Sequence, residues 1–112
     1  MSEKVQKCIH FIFLLASKDT ARPQKQVLIE TISKIQLAAI SELALNVLKG
    51  YIPLDEVQAR RLKRHRRKLR KLGNKRTTNK QRRQAFNLQL SDILLEPCVE
   101  FIKSNAESFQ TL

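Results

Sequence analysis

The chain has 112 residues, 42% of them apolar, and sets 22 Lys and Arg against 10 Asp and Glu, for a formal net charge of +12 and a sequence pI of about 10.3. That length suits one domain with a modest core, the apolar share is too high for a chain disordered by composition, and the charge calls for a polyanionic partner: DNA, RNA or an anionic membrane surface. Trp is absent and aromatics are 5%, so Leu, Ile and Val must build the core; with 2 Gly and 3 Pro among much Leu, Lys, Arg, Gln and Glu, helices are expected and strands are not.

In chain order, Val5, Cys8, Ile9, Ile12 and Leu15 or Ala16 follow helical spacing and predict a first helix over 3–17. Its apolar run, Phe11 to Ala16, is far short of the ~20 residues of a membrane span, and charged Lys18 and Asp19 follow it, so neither a signal peptide nor a spanning helix is expected. Ser17 to Arg22 reads as a loop. Pro23 suits the first turn of a second helix to about Ile32, where its missing N–H is no loss. Residues 33–49 carry the strongest pattern: Ser33 as N-cap, an apolar face of Ile35, Ala39, Ile40, Leu43, Ala44, Val47 and Leu48, and Gly50 as the stop. Whether these two helices are separate or continuous stays open at this level.

Tyr51 to Leu54 is a connector, and Asp55 offers an N-cap to a helix running to about Leu72, halted by Gly73-Asn74. A cap at Thr77, Thr78 or Asn79 opens a short helix through about Gln89. Ser91-Asp92 starts a last helix with Ile93, Leu94, Cys98, Val99 and Ile102 apolar, in which Pro97 predicts a kink or break. The expected architecture is therefore a small all-α domain of four to six helices over 1–104, containing a basic segment at 57–89, with a frayed polar tail at 105–112.

The positive charge is local. No acid lies between Val57 and Ser91, and residues 60–83 hold 14 of the 22 basic side chains: Arg60, Arg61, Lys63, Arg64, Arg66, Arg67, Lys68, Arg70, Lys71, Lys75, Arg76, Lys80, Arg82 and Arg83. The other 8 basic residues face all 10 acids, so the rest of the chain is 8 − 10 = −2. On a helix at about 100° per residue, Leu62, His65, Leu69 and Leu72 form an apolar stripe, while Arg60, Lys63, Arg64, Arg67, Arg70 and Lys71 fan over the opposite side. Ordinary solubility mixes both signs of charge, so a single-sign face this dense points to phosphates. Arg outnumbers Lys 9 to 5 in the segment, and the planar guanidinium fork matches phosphate and guanine edges. The polar residues Asn74, Thr77, Thr78, Asn79, Gln81 and Gln84 could add phosphate or base contacts. Phe86 is the one aromatic nearby, which argues against a stacking platform for single strands.

No Gly-rich phosphate loop, no Cys/His metal spacing and no catalytic constellation is written in the chain, so no cofactor, no metal and no enzymatic activity is expected. Cys8 and Cys98 read as buried thiols in a reducing compartment, and His10 and His65 as packing histidines. Asn46, set in an apolar helix, has no reading from the sequence.

The stretch from Leu43 to Arg83 resembles a small basic protein of the Maverick/Polinton self-synthesising DNA transposons and their adintovirus relatives in animals. Ala44, Leu45, Asn46, Val47, Leu48, Gly50, Ile52, Pro53 and Leu54 match its short apolar motif; Leu62, Arg64, His65, Leu69, Arg70 and Leu72 match its basic helix. The resemblance covers about a third of the chain, and it departs where the family continues into Gly-Gly-Phe-Leu and this chain has Ala85-Phe86-Asn87-Leu88. It implies a virion core or DNA-associated role, in the nucleus or the virion. The residues themselves predict binding of double-stranded DNA, mainly through phosphates, with RNA binding by the arginine-rich helix, or docking of that helix on an acidic protein or anionic membrane, as the rival expectations.

Overall fold

The computed structural model describes residues 2–105, and all regular structure among them is helical. Among the described residues eight helices stand where four to six were expected, because two of the predicted helices are each interrupted by one residue. The first splits at Cys8 into α1 (Glu3–Lys7) and α2 (Ile9–Ala16). There the Cys8 N–H is shared between the carbonyls of Lys4 and Val5, both at 3.2 Å, and the ladder resumes with Ile12 N–H to the Cys8 carbonyl at 3.0 Å. The buried stripe is Val5, Cys8, Phe11, Ile12 and Leu15, with Phe11 taking the place expected of Ile9. His10 is exposed rather than packed: two residues from Cys8, it lies about 200° round the helix from the stripe.

Helix α3 (Arg22–Glu30) carries Pro23 in its first turn, and Thr31–Ser33 separates it from α4 (Lys34–Leu48), so the two are distinct. Ser33 caps α4 reciprocally with Gln36: the Gln36 N–H donates to Ser33 Oγ at 3.2 Å and the Ser33 N–H to Gln36 Oε1 at 2.9 Å. Gly50, at φ 78°, ends α4 in the left-handed conformation that favours glycine. The Tyr51 N–H reaches back to the Asn46 carbonyl at 2.9 Å and the Gly50 N–H to that of Val47 at 3.1 Å, the two bonds of a Schellman stop.

Helix α4 is the centre of the bundle, packed by α1, α6, α7 and α8. Enclosure from several directions buries more than one stripe. Leu37 and Ser41 are buried along with the expected Ala39, Ile40, Leu43, Ala44 and Val47, whereas Ile35 and Leu48, near the helix ends, remain exposed.

The next helix is likewise divided, into α5 (Glu56–Arg64) and α6 (Arg66–Gly73). Helix α7 (Asn79–Ala85) ends earlier than predicted because Phe86 leaves the helix to enter the core. The chain turns there, so α8 (Leu88–Ser104) is capped by Asn87, whose Oδ1 takes the Leu90 N–H at 2.8 Å, and not by Ser91-Asp92. Ser91 is buried in its first turns. The break expected at Pro97 does not occur: α8 runs through it with Pro97 buried, and the helix as a whole packs against α2, α3, α4 and α5. The tail at 106–112 lies outside the described residues. Cys8 and Cys98 are buried and unpaired, as expected, and burial pushes both thiols up, that of Cys98 to about 12.

Gly73, at the end of α6, lies directly against the α4 backbone. A Cβ there would stand 3.1 Å from the Leu45 backbone nitrogen, 3.2 Å from Leu45 Cα and 2.9 Å from Leu48 Cδ1. The exposed Leu48 side chain can move aside, but the α4 backbone cannot. Gly73→Ala is therefore expected to lower stability by about 1–2 kcal/mol, overpacking outweighing the gain in helix propensity. A thermal melt checks this; a variant melting at or above the parent would show that α4 and α6 can separate freely.

Candidate nucleic-acid interface

The basic rod is held by a continuous seam. Gln58, Leu62, His65, Leu69 and Leu72 recur at spacings of four, three, four and three, and all are buried except half-buried His65. Three of the four residues predicted to form the stripe are thus fully packed, and His65 is partly so. Gln58 extends the seam with a polar contact, its amide donating to Glu96 Oε1 at 3.3 Å and Glu100 Oε2 at 3.2 Å on α8.

The interruption at His65 falls where the rod changes neighbours, since α5 packs on α8 and α6 on α4. The His65 N–H turns to the Leu62 carbonyl at 2.9 Å, a tighter i−3 bond, and the Leu69 N–H takes the His65 carbonyl at 3.0 Å. A helix continuous to Leu72 was expected; accommodating two partners divides it without losing the seam. Around the break, Lys63, Arg64, His65, Arg66, Arg67 and Lys68 line a shallow hollow of about 460 Å³, five cations about one half-buried imidazole.

Of the 14 cations between Arg60 and Arg83, all but half-buried Arg82 are exposed. Of these 14, only Arg60 lies within ion-pair distance of a carboxylate among the described residues, 4.0 Å from Glu56 Oε1. Three carboxylates of α8 have other partners: Glu96 and Glu100 accept from Gln58, and Asp92 pairs with Arg22 at 3.0 Å. Residues 60–71 therefore present cations on both flanks and the outer side of the rod.

After α6 the chain turns through Asn74–Thr78, placing Lys75 and Arg76 on the turn and Lys80 on α7. Several polar residues thought available for phosphates serve the turn instead. Asn74 Oδ1 accepts the Arg76 N–H at 2.9 Å, and Thr78 and Gln81 cap α7 reciprocally. Arg82 and Arg83 also have structural duties: Arg82 donates to the Asn74 carbonyl at 2.9 Å, and Arg83 to the Ile32 carbonyl just past α3. Arg83 nevertheless remains an exposed residue, while Arg82 is partly withdrawn.

One cation not foreseen from sequence joins this end of the surface. Lys4 of α1 shares with Lys75 and Arg82 the rim of a polar hollow of about 340 Å³ over α4, and Asn46 lines it. Nothing in the sequence marks Lys4, which comes near the segment only because α1 packs on α4. No described helix is long and apolar enough to cross a membrane, and no group of three or more His, Cys, Asp or Glu that could hold a metal ion stands among the described residues. Comparison of the chain with protein-family models, with curated proteins and with solved structures finds no match.

Proposed function

We propose that this protein binds double-stranded nucleic acid, DNA foremost, through phosphate contacts made by α5, α6, the Asn74–Thr78 turn and α7. The observation that carries the reading is the charge without counter-charge: 13 of the 14 cations have no carboxylate within 4.0 Å among the described residues, and 13 are exposed. Like charges three and four residues apart repel by a few tenths of a kcal/mol per pair in the free protein. Phosphates would remove that repulsion, and the release of condensed counterions would drive binding. A helix about 10–12 Å across with cations on both flanks also suits a major groove about 12 Å wide bordered by phosphates. Phosphate contacts set register and carry little sequence information, so discrimination among duplexes is expected to be weak.

The resemblance to the Maverick/Polinton and adintovirus protein extends this proposal to a DNA-condensing or virion core role, in the nucleus or the virion, with no catalytic activity. The Arg-rich composition of the rod supports RNA binding as the second reading. Titrations of duplex DNA, single-stranded RNA and anionic vesicles at matched salt discriminate among nucleic acids and a membrane surface; duplex DNA is expected to bind tightest. If 6 to 10 phosphates are met, log affinity falls against log salt at about −0.9 per phosphate, a loss of about 10³- to 10⁵-fold between about 50 and 200 mM salt. A nearly flat salt dependence would overturn the phosphate reading, and preference for RNA or vesicles would replace DNA as the target.

A further inference from the structure

The hollow over α4 differs in character from the cationic rod. Lys4, Lys75 and Arg82 stand on its border, Glu42, Asn46 and Ser41 line its α4 side, and its volume of about 340 Å³ falls within the ~300–1,000 Å³ of small-ligand sites. Glu42 Oε2 accepts the Ser2 N–H at 3.1 Å, which holds the carboxylate in place. Two polar atoms of the lining residues, Ser41 Oγ and Arg82 Nε, are buried without a partner. Buried polar groups are nearly always paired, and these two belong to residues that line the hollow.

Three cations against one carboxylate make the site attractive to an anion, yet Glu42 would repel a bare phosphate seated deep against α4. A simple cation is refused by the other three charges. The lining fits a group with donors and acceptors on one edge, attached to a phosphate. We infer that the hollow receives an unpaired nucleotide, its base edge toward Glu42 and Asn46 and its phosphate toward Lys75, Lys4 and Arg82. This rests on the nucleic-acid reading above, and it places the nucleotide where the cationic surface continues, since Lys75 and Arg82 belong to both. The nucleotide can come from a bulge, mismatch or strand end of bound nucleic acid, where unstacking costs least, or be a free mononucleotide.

The test uses the full chain and three probes. A duplex with a single-nucleotide bulge is expected to bind about tenfold tighter than its fully paired counterpart at the same salt, the scale of one good set of base contacts. Glu42→Gln removes the carboxylate charge while retaining an acceptor for Ser2. It is expected to abolish the preference for the bulge and leave paired-duplex affinity equal or slightly higher. Ala38 also lines the hollow from α4, so Ala38→Leu fills it and is expected to act likewise; should it melt low, Glu42→Gln decides alone. In nuclear magnetic resonance titrations, mononucleotides are expected to move the Asn46 side-chain amide signals at concentrations where inorganic phosphate does not, which separates the free from the strand-borne source. Equal shifts with inorganic phosphate, or a Glu42→Gln variant that tightens on paired and bulged duplexes alike, would show an anion site without base recognition and overturn the inference. Equal affinity for both duplexes, with paired binding intact, overturns it and leaves nucleic-acid binding standing. No binding to either duplex overturns both.

Discussion

Replacing Arg60, Lys63, Arg64, Arg67 and Lys71 together by Gln is expected to weaken duplex DNA binding by about 10³-fold or more near 0.1 M salt, with the melting temperature unchanged or slightly raised. All five side chains are exposed, and only Arg60 has a carboxylate within reach, at 4.0 Å with both partners largely solvated, so their removal breaks no contact of consequence to the fold. Gln keeps much of the helix propensity of Arg and Lys, and the loss of like-charge neighbours favours the helix. The effect on binding grows with the number of phosphates met, because each lost contact also takes about 0.9 from the salt slope. The slope thus counts contacts independently of the affinity. If the variant folds and binds DNA as the parent does, the segment is not the binding surface, and docking on an acidic protein partner then becomes its role.

The converse experiment removes the seam and keeps the charge. Leu62→Ala and Leu69→Ala each delete a side chain exposed by no more than 4%, one on the half of the rod that packs on α8 and the other on the half that packs on α4. Buried Leu→Ala changes cost about 2–5 kcal/mol, against about 5–15 kcal/mol for the whole stability of an ordinary domain. Each single variant is expected to melt well below the parent, and the double variant to be unfolded or nearly so by circular dichroism. Binding then declines because the surface is no longer presented, while the unfolded chain keeps a charge-driven residue of affinity. Normal melting of the double variant together with unfolding of the Gln variant would show the two faces to be exchanged.

These opposite outcomes were legible in the sequence because both rest on local periodicity. Leu62, Leu69 and Leu72 are buried where 3.6-residue spacing placed them, and the cations occupy the rest of the circumference. Signals that act within one turn were equally readable: the caps at Ser33 and Asp55, the α7 cap to within three adjacent residues of which Thr78 serves, and the stop at Gly50 all depend on backbone groups a few residues away. The concentration of charge without counter-charge within the segment needed only counting.

Other features depend on which elements meet, and periodicity carries no information about that. The division at His65 lies where the rod passes from α8 to α4, and α8 continues through Pro97 because its packing sustains it. Phe86 entering the core decided that Asn87, and not Ser91, caps α8. His10 faces outward because the core lies along Cys8, Phe11 and Ile12. The same holds for the candidate site. Exposure of the cations followed from the helix pattern, but the withdrawal of Arg82 toward Asn74 and the bond from Arg83 to the Ile32 carbonyl, 51 residues away, did not. The hollow is the extreme case: Lys4, Asn46, Lys75 and Arg82 are scattered over nearly 80 positions, and α1, α4, the turn before α7 and α7 itself bring them to one hollow. The sequence by itself determined the helical segments, the caps at Ser33 and Asp55 and the sign and place of the charge, since these are set by neighbours within about one helical turn. Only the tertiary structure decided where helices divide, which cations are already engaged and what the polar residues surround, because side chains distant in sequence meet only when apolar faces are buried against one another.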